Sequence, residues 1–106
     1  MNTVVQEPIQ LKTEKVEKLK TSITIEDQTG TQYKFILGQD ISFKTLFIAY
    51  AKCLGVQKSA LRFIYDGERI DEELSVEKYN KAYPDPEYKI TDGTVFQALA
   101  EAIGGY

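Results

Sequence analysis

These 106 residues contain no histidine, no tryptophan, one cysteine and one methionine. The missing imidazole excludes Ser-His-Asp and Cys-His catalysis, histidine acid–base chemistry and any zinc site that needs a histidine ligand. The lone thiol, Cys53, excludes thiolate metal clusters and an intramolecular disulfide, so the frame is not that of a stapled secreted domain. No uncharged apolar run reaches the roughly 18 residues that a membrane span requires. The start, Met1 to Pro8, has neither the basic stretch nor the apolar run of a signal peptide. No metal, no cofactor, no membrane and no enzyme activity are therefore expected. An enzyme limited to Asp, Glu and Lys is a poorer reading than a protein that binds others or is handled by them.

What is there suffices for one domain with a packed core. Apolar residues make up 42 %, charged residues 27 %, and there are seven Tyr and five Phe. The net charge of −3 is unevenly spread: +1 over residues 1–22, +2 over 23–65 and −6 over 66–106. Such a dipolar surface points to partners of both signs. Lys and Arg nowhere cluster with aromatics, so no nucleic-acid partner is expected.

Residues 1–21 hold few large apolar side chains and read as a flexible tail, in preference to a short helix over Glu14–Lys20. From Ser22, the alternation Ser22-Ile23-Thr24-Ile25-Glu26 predicts a strand. Asp27–Thr31, with Gly30, predicts a turn, and Tyr33-Lys34-Phe35-Ile36-Leu37 the second strand of a hairpin. A helix follows, with Phe43, Leu46, Phe47, Tyr50, Cys53 and Leu54 as its apolar stripe. Asp40 or Ser42 caps its start, Gly55 its end, and Ile48 is exposed. Leu61–Tyr65 predicts a third strand, turning at Asp66-Gly67 into Glu68-Arg69-Ile70. Ser75 caps a short helical turn over Val76–Asn80, and Lys81–Lys89, with two prolines, reads as a loop. Thr94–Leu99 is the last strand, and residues 100–106 have no reason to pack. The order ββαββ-turn-β is an α+β, β-grasp (ubiquitin-like) architecture over residues 22–99, between a tail at 1–21 and another at 100–106.

Leu61-Arg62-Phe63-Ile64-Tyr65-Asp66-Gly67-Glu68-Arg69-Ile70, preceded by Ala49-Tyr50-Ala51-Lys52-Cys53-Leu54-Gly55-Val56, resembles SUMO, the small ubiquitin-like modifier family. The family's "AYCxxxGV…LRFxFDGxxI" run is nearly reproduced, except that its Cys directly follows the Tyr where this chain has Ala51. Gly104-Gly105 falls where the family's diglycine belongs, so the resemblance extends from about Ser22 to Gly105.

The resemblance implies a precursor whose one extra residue, Tyr106, is removed by a SUMO protease cutting after Gly105. The exposed carboxylate is then adenylated by an activating enzyme, passed to a conjugating enzyme and, with ligases, joined to target-protein lysines as an isopeptide (sumoylation). ATP is used by the activating enzyme and is not bound by this chain. Glycine suits the task because a Cβ would block the narrow tunnel leading to a catalytic thiol. Leu11-Lys12-Thr13-Glu14 looks like the acceptor motif read by the conjugating enzyme, with Lys12 the site of chain growth.

The resemblance further implies a groove for proteins with SUMO-interacting motifs, entered by β-augmentation. The matching positions are Tyr33, Lys34, Phe35, Ile36 and Leu37 on the strand, and Thr45, Leu46, Ala49 and Cys53 on the helix. Three usually basic positions are Ile36, Thr45 and Cys53 here, so recognition is expected to rest more on apolar contact than on flanking acids. Phe47 and Ile48 replace charged family positions and suggest an extra apolar partner surface. Asp66, Gly67, Arg69 and Asp92 match the region that touches the conjugating enzyme, and Lys81–Lys89 looks like an insertion. A nuclear and cytoplasmic monomer is expected. The rival reading is a non-conjugated ubiquitin-like protein-interaction domain whose C-terminus is never processed.

Overall fold

Alternation in the hairpin strands decides which side chains meet. The computed structural model describes residues 9–11 and 19–101. Strands β2 (Lys20–Glu26) and β3 (Gln32–Gly38) pair antiparallel, from Lys20 opposite Gly38 to Glu26 opposite Gln32. Thr21, Ile23 and Ile25 of β2 are buried on one face, with Phe35 and Leu37 of β3 beside them. The turn between them is tied by the Asp27 carboxylate, which accepts hydrogen bonds from the Thr29 N–H (2.9 Å), the Thr29 hydroxyl (2.7 Å) and the Thr31 N–H (3.0 Å). Burial works to raise the Asp27 carboxyl, but these bonds outweigh it and hold the group below its ordinary value.

The helix α1 (Phe43–Leu54) starts at Ser42, whose side chain accepts from the Thr45 N–H, and stops at Gly55, which takes the left-handed conformation at φ 75°. Of the two cap residues the sequence offers, Ser42 serves. Phe43, Leu46, Phe47, Tyr50 and Ala51 are buried against the sheet. Cys53, expected on this apolar stripe, is exposed. At about 100° per residue it falls on the flank shared with Thr45 and Ala49, clear of the stripe's centre. Phe47 is no partner surface either: it is buried, with its ring stacked on Phe63 at 3.8 Å. Ile48 is exposed as expected.

The second half supplies β4 (Leu61–Tyr65), β5 (Glu68–Arg69), α2 (Val76–Ala82) and β6 (Thr94–Ala100). Asp66 and Gly67 link β4 to β5 with φ of 55° and 80°, the doubly left-handed two-residue turn that Asp-Gly favours. β6 runs parallel to β2 and antiparallel to β4, so it joins the two halves of the sheet. The 72–75 segment clamps the start of α1: the Phe43 N–H donates to the Leu74 carbonyl (2.8 Å) and the Lys44 N–H to the Glu72 carbonyl (2.9 Å). Lys58 and Glu72 form an ion pair alongside. Phe43, Phe47 and Phe96 pack in the centre, with Phe43 edge-on to Phe96 at 5.4 Å.

Two boundaries differ from expectation. Residues 1–21 are not all tail: Ile9–Leu11 forms a strand, β1, β2 begins at Lys20, and Thr21 is buried. The sheet therefore has six strands in the order β1-β3-β2-β6-β4-β5. At the other end, Ala100 belongs to β6 and pairs with Leu61, while the Glu101 N–H donates to the Ala60 carbonyl (2.9 Å). Low apolar content hid both, because the bonds that hold these residues are backbone bonds to strands far along the chain. The 81–89 stretch is also more regular than a loop: α2 extends through Ala82, and Pro86–Tyr88 makes a 3-10 turn capped by the Asp85 side chain.

Candidate functional site

The strand–helix edge comes first. On β3, Phe35 and Leu37 are fully buried and serve the core, as does Leu46 of α1. Tyr33 is half-buried and meets Tyr50 edge-on at 5.5 Å, while Ile36 is half-buried and Lys34 exposed. On α1, Thr45 and Cys53 are exposed and Ala49 is half-buried, so small side chains flank the β3 edge. The geometry splits the nine sequence-predicted positions. Phe35, Leu37 and Leu46 hold the fold, and Tyr33, Lys34, Ile36, Thr45, Ala49 and Cys53 offer the surface.

The structure also places something on that edge which the residues did not announce. β1 pairs with β3 in parallel, Ile9 opposite Phe35, Gln10 opposite Ile36 and Leu11 opposite Leu37. Among the described residues, Tyr33 and Lys34 lie outside this register. A run of three residues in a polar tail is too short for periodicity to reveal; the only sequence signal was the apolar pair Ile9 and Leu11.

The second surface lies at the opposite edge, around β4 and β5. Asp66, Gly67 and Arg69 are exposed there. Asp92 shares their end of the sheet, since β6 runs antiparallel to β4 and begins where β4 ends. Its carboxylate is already engaged, accepting from the Ser22 N–H at 2.8 Å. The Arg69 guanidinium turns toward the end of β6, donating to Glu101 at 2.6 Å. Asp66 and Arg69 thus face different neighbours, and a partner approaching the turn meets Asp66 and Glu68 as its charges.

Next to this turn the 81–89 stretch folds back. Asn80 pins it: its Nδ2 donates to the Ile90 carbonyl (3.0 Å) and its Oδ1 accepts from the Ile90 N–H (2.9 Å). The result is an open cavity of about 520 Å³. Tyr65, Tyr79, Tyr83 and Tyr88 line it together with Asp66, Glu68 and Asp71. Burial is the first cause of the raised phenol of Tyr79, followed by Tyr65, Tyr83, Asp66 and Glu68 nearby. Tyr65 is raised in the same way, by burial and then by Asp66, with a partial offset from a hydrogen bond to Thr94. Tyr83, Pro84, Pro86 and Tyr88 stand out in the insertion by sequence, whereas no local pattern brings Tyr65 and Tyr79 to them.

Two groups of expected functional residues, Lys12 with Thr13 and Glu14, and Gly104, Gly105 and Tyr106, lie outside the described residues. Leu11 alone of the acceptor motif is described, as the last residue of β1.

Residues 21–81 match the family model described as "Ubiquitin-2 like Rad60 SUMO-like". The chain belongs to this SUMO-like family. Its strands and helix match solved ubiquitin folds as well. Caldiarchaeum subterraneum ubiquitin superposes with a TM-score of 0.65 at 14 % identity, covering 81 % of this chain and 99 % of that one. A protein designed on the basis of ubiquitin gives 0.61 at 21 % identity, covering 82 % and 95 %. At such identities the likeness is one of fold. No curated protein matches the chain. The SUMO-like match ends at Lys81, so two of the four cavity tyrosines, Tyr83 and Tyr88, stand beyond it.

Proposed function

We propose that this SUMO-like domain is a protein modifier. A protease cuts after Gly105, releasing Tyr106, and the new carboxylate is joined to lysines of target proteins through activating and conjugating enzymes. The chain is not an enzyme and holds no cofactor; ATP belongs to the activating enzyme. Lys12 serves chain growth, readers with SUMO-interacting motifs add to β3 beside α1, and Asp66, Gly67, Arg69 and Asp92 meet the conjugating enzyme. It acts in nucleus and cytoplasm as a monomer.

One observation supports this reading above the others. A SUMO-like β-grasp domain has its last strand ending at Ala100, and Gly104-Gly105 follows four residues later. Three residues between strand and diglycine are the spacing that a tunnel-entering tail needs: long enough to reach a buried thiol, with no side chain at its last two positions. The test is mass spectrometry. After incubation with a SUMO protease the protein loses Tyr106; with activating enzyme and ATP, the trimmed form then becomes a thioester adduct. An unchanged mass with both competent enzymes overturns conjugation and leaves a ubiquitin-like interaction domain. For Lys12, Lys12→Arg removes tail-linked polymers; an unchanged linkage pattern refutes its role.

A further inference from the structure

The tyrosine-lined cavity beside β5 has walls, charge and no assigned occupant. Tyr65 and Tyr79 sit with ring centroids 6.0 Å apart, and Tyr79 and Tyr83 with centroids 4.6 Å apart. Tyr83 is 49 % exposed and Tyr88 38 %, so two aromatic side chains stand open to solvent at the mouth. Three acidic residues, Asp66, Glu68 and Asp71, share the lining, with the Asp71 carboxylate also accepting from the Glu73 N–H at 3.0 Å. Arg69, the one cation in that lining among the described residues, is drawn off to Glu101. Aromatic faces carry a negative quadrupole, and carboxylates around them add a field of the same sign. The chemistry that fits both is a cation on an aliphatic stem.

We propose that this cavity receives the cationic side chain of a lysine or arginine presented by a partner protein. The stem lies against the tyrosine rings and the charge meets Asp66, Glu68 and Asp71. The site rests on the cavity alone and stands whether or not the Asp66 turn meets a conjugating enzyme. The test is an NMR titration of the full chain with acetyl-Gly-Gly-Lys-Gly-Gly-amide, its arginine counterpart, and the neutral norleucine counterpart. Saturable shifts at Tyr65–Asp71 and Tyr79–Tyr88, about tenfold weaker for norleucine, are expected. They should vanish in Tyr83→Ala/Tyr88→Ala, whose side chains are too exposed to carry the fold. Equal binding of norleucine makes the cavity an apolar slot and overturns the proposal. So do shifts spread over the whole acidic surface, insensitive to the tyrosine variant and erased by about 0.15 M salt.

A second, independent observation concerns β1. Leu11 pairs with Leu37 on one side of β3 and Lys20 with Gly38 on the other. Both ends of the 12–18 connection therefore meet at one end of β3, two strand spacings or about 10 Å apart. Seven residues reach up to about 25 Å, so a single chain can make the link. We infer that Ile9–Leu11 is a tethered occupant of the edge that readers would use. Resting on the proposed function, this has a consequence: Leu11 also belongs to the Lys12 acceptor motif. A reader strand that takes the edge displaces Leu11 from β3, and an enzyme that grips Leu11 opens the edge.

Because successive N–H groups point to opposite sides of a strand, one of Gln10→Pro and Leu11→Pro must remove a donor from the β1–β3 ladder. The probe is a synthetic peptide copying residues 7–13, added in trans, so the result does not depend on any reader or enzyme. In one of the two proline variants the peptide binds about tenfold more tightly than to the parent chain, and β3 edge amides exchange faster before it is added. Equal peptide affinity in parent and variants overturns the inference. A dimeric mass for the parent that becomes monomeric in the variants overturns it too, since β1 would then belong to a second copy.

Discussion

The sheet of this SUMO-like domain has two edges closed in opposite ways. At one, β3 is a full seven-residue strand whose outer side is covered by three residues of the chain's own start. At the other, β4 is followed by only two residues of β5, and the exposed remainder is occupied by an Asp-Gly turn, carboxylates and the folded-back 81–89 stretch. A long edge strand is a template for another backbone, whereas a short, charged, side-chain-rich edge is not. The difference teaches what each can recognise: β3 offers main-chain hydrogen bonds to any extended segment, the β5 side offers aromatic faces and negative charge to a particular side chain.

The largest effect should come from a change that strikes both edges at once. Phe47 is buried under the middle of α1 and stacked on Phe63 of β4. Phe47→Ala leaves a cavity there and should cost about 3–5 kcal/mol, read by urea denaturation. A loss much below this would mean that α1 collapses onto β4 and that the two halves are less rigidly joined than the stack suggests.

A middle-sized effect should separate the edges. Asn80→Ala removes both partners of the Ile90 backbone and should cost about 1–3 kcal/mol. Faster amide exchange should be confined to the 81–91 stretch, with the lysine-peptide site lost and the β1–β3 pairing intact. If β3 amides loosen as well, the two edges are coupled and the contrast between them fails.

The smallest effect concerns the β3 side. Tyr50 supports Tyr33 and Phe35 from below, yet its buried hydroxyl has no hydrogen-bond partner among the described residues. Tyr50→Phe should therefore change stability at neutral pH by no more than about 1 kcal/mol, with a gain as acceptable as a loss. Burial, and then the Asp27 carboxylate, push the Tyr50 phenol upward. A group raised in the folded state contributes stability that is complete below its unfolded value near 10 and lost as the pH climbs past it. The parent should weaken above about pH 10, and Tyr50→Phe should weaken less. Parallel pH profiles would show that Tyr50 ionises as freely folded as unfolded. Asp27 works at the other extreme: its lowered carboxyl makes the β2–β3 turn lose stability as the pH falls below about 4.

The first and last of these experiments probe features that were legible in the residues, and the middle one does not. Phe47 and Tyr50 sat on a helical stripe, capped by Ser42 and Gly55, so their burial followed from spacing and cap chemistry. Cys53 looked like part of that stripe because a spacing argument tolerates a wide arc, whereas the sheet beneath covers only its centre. Asn80 carried no signal at all, since its role exists only once Ile90 is brought to it. The Lys12 motif and the diglycine, on which the proposed conjugation rests, are sequence features alone and need no fold to be seen.

Strand alternation, the Asp-Gly turn, the helix caps and the absence of histidine were thus determined by the sequence alone, because each depends on residues within a few positions of one another. That determination extends to the β-grasp class and to imidazole chemistry, which a chain without histidine cannot perform. Tertiary structure decided which side chains meet across long separations: β1 on β3, Arg69 with Glu101, Tyr65 and Tyr79 with Tyr83. Such contacts depend on chain closure and on competition for space among distant segments. No local pattern of residues encodes that competition.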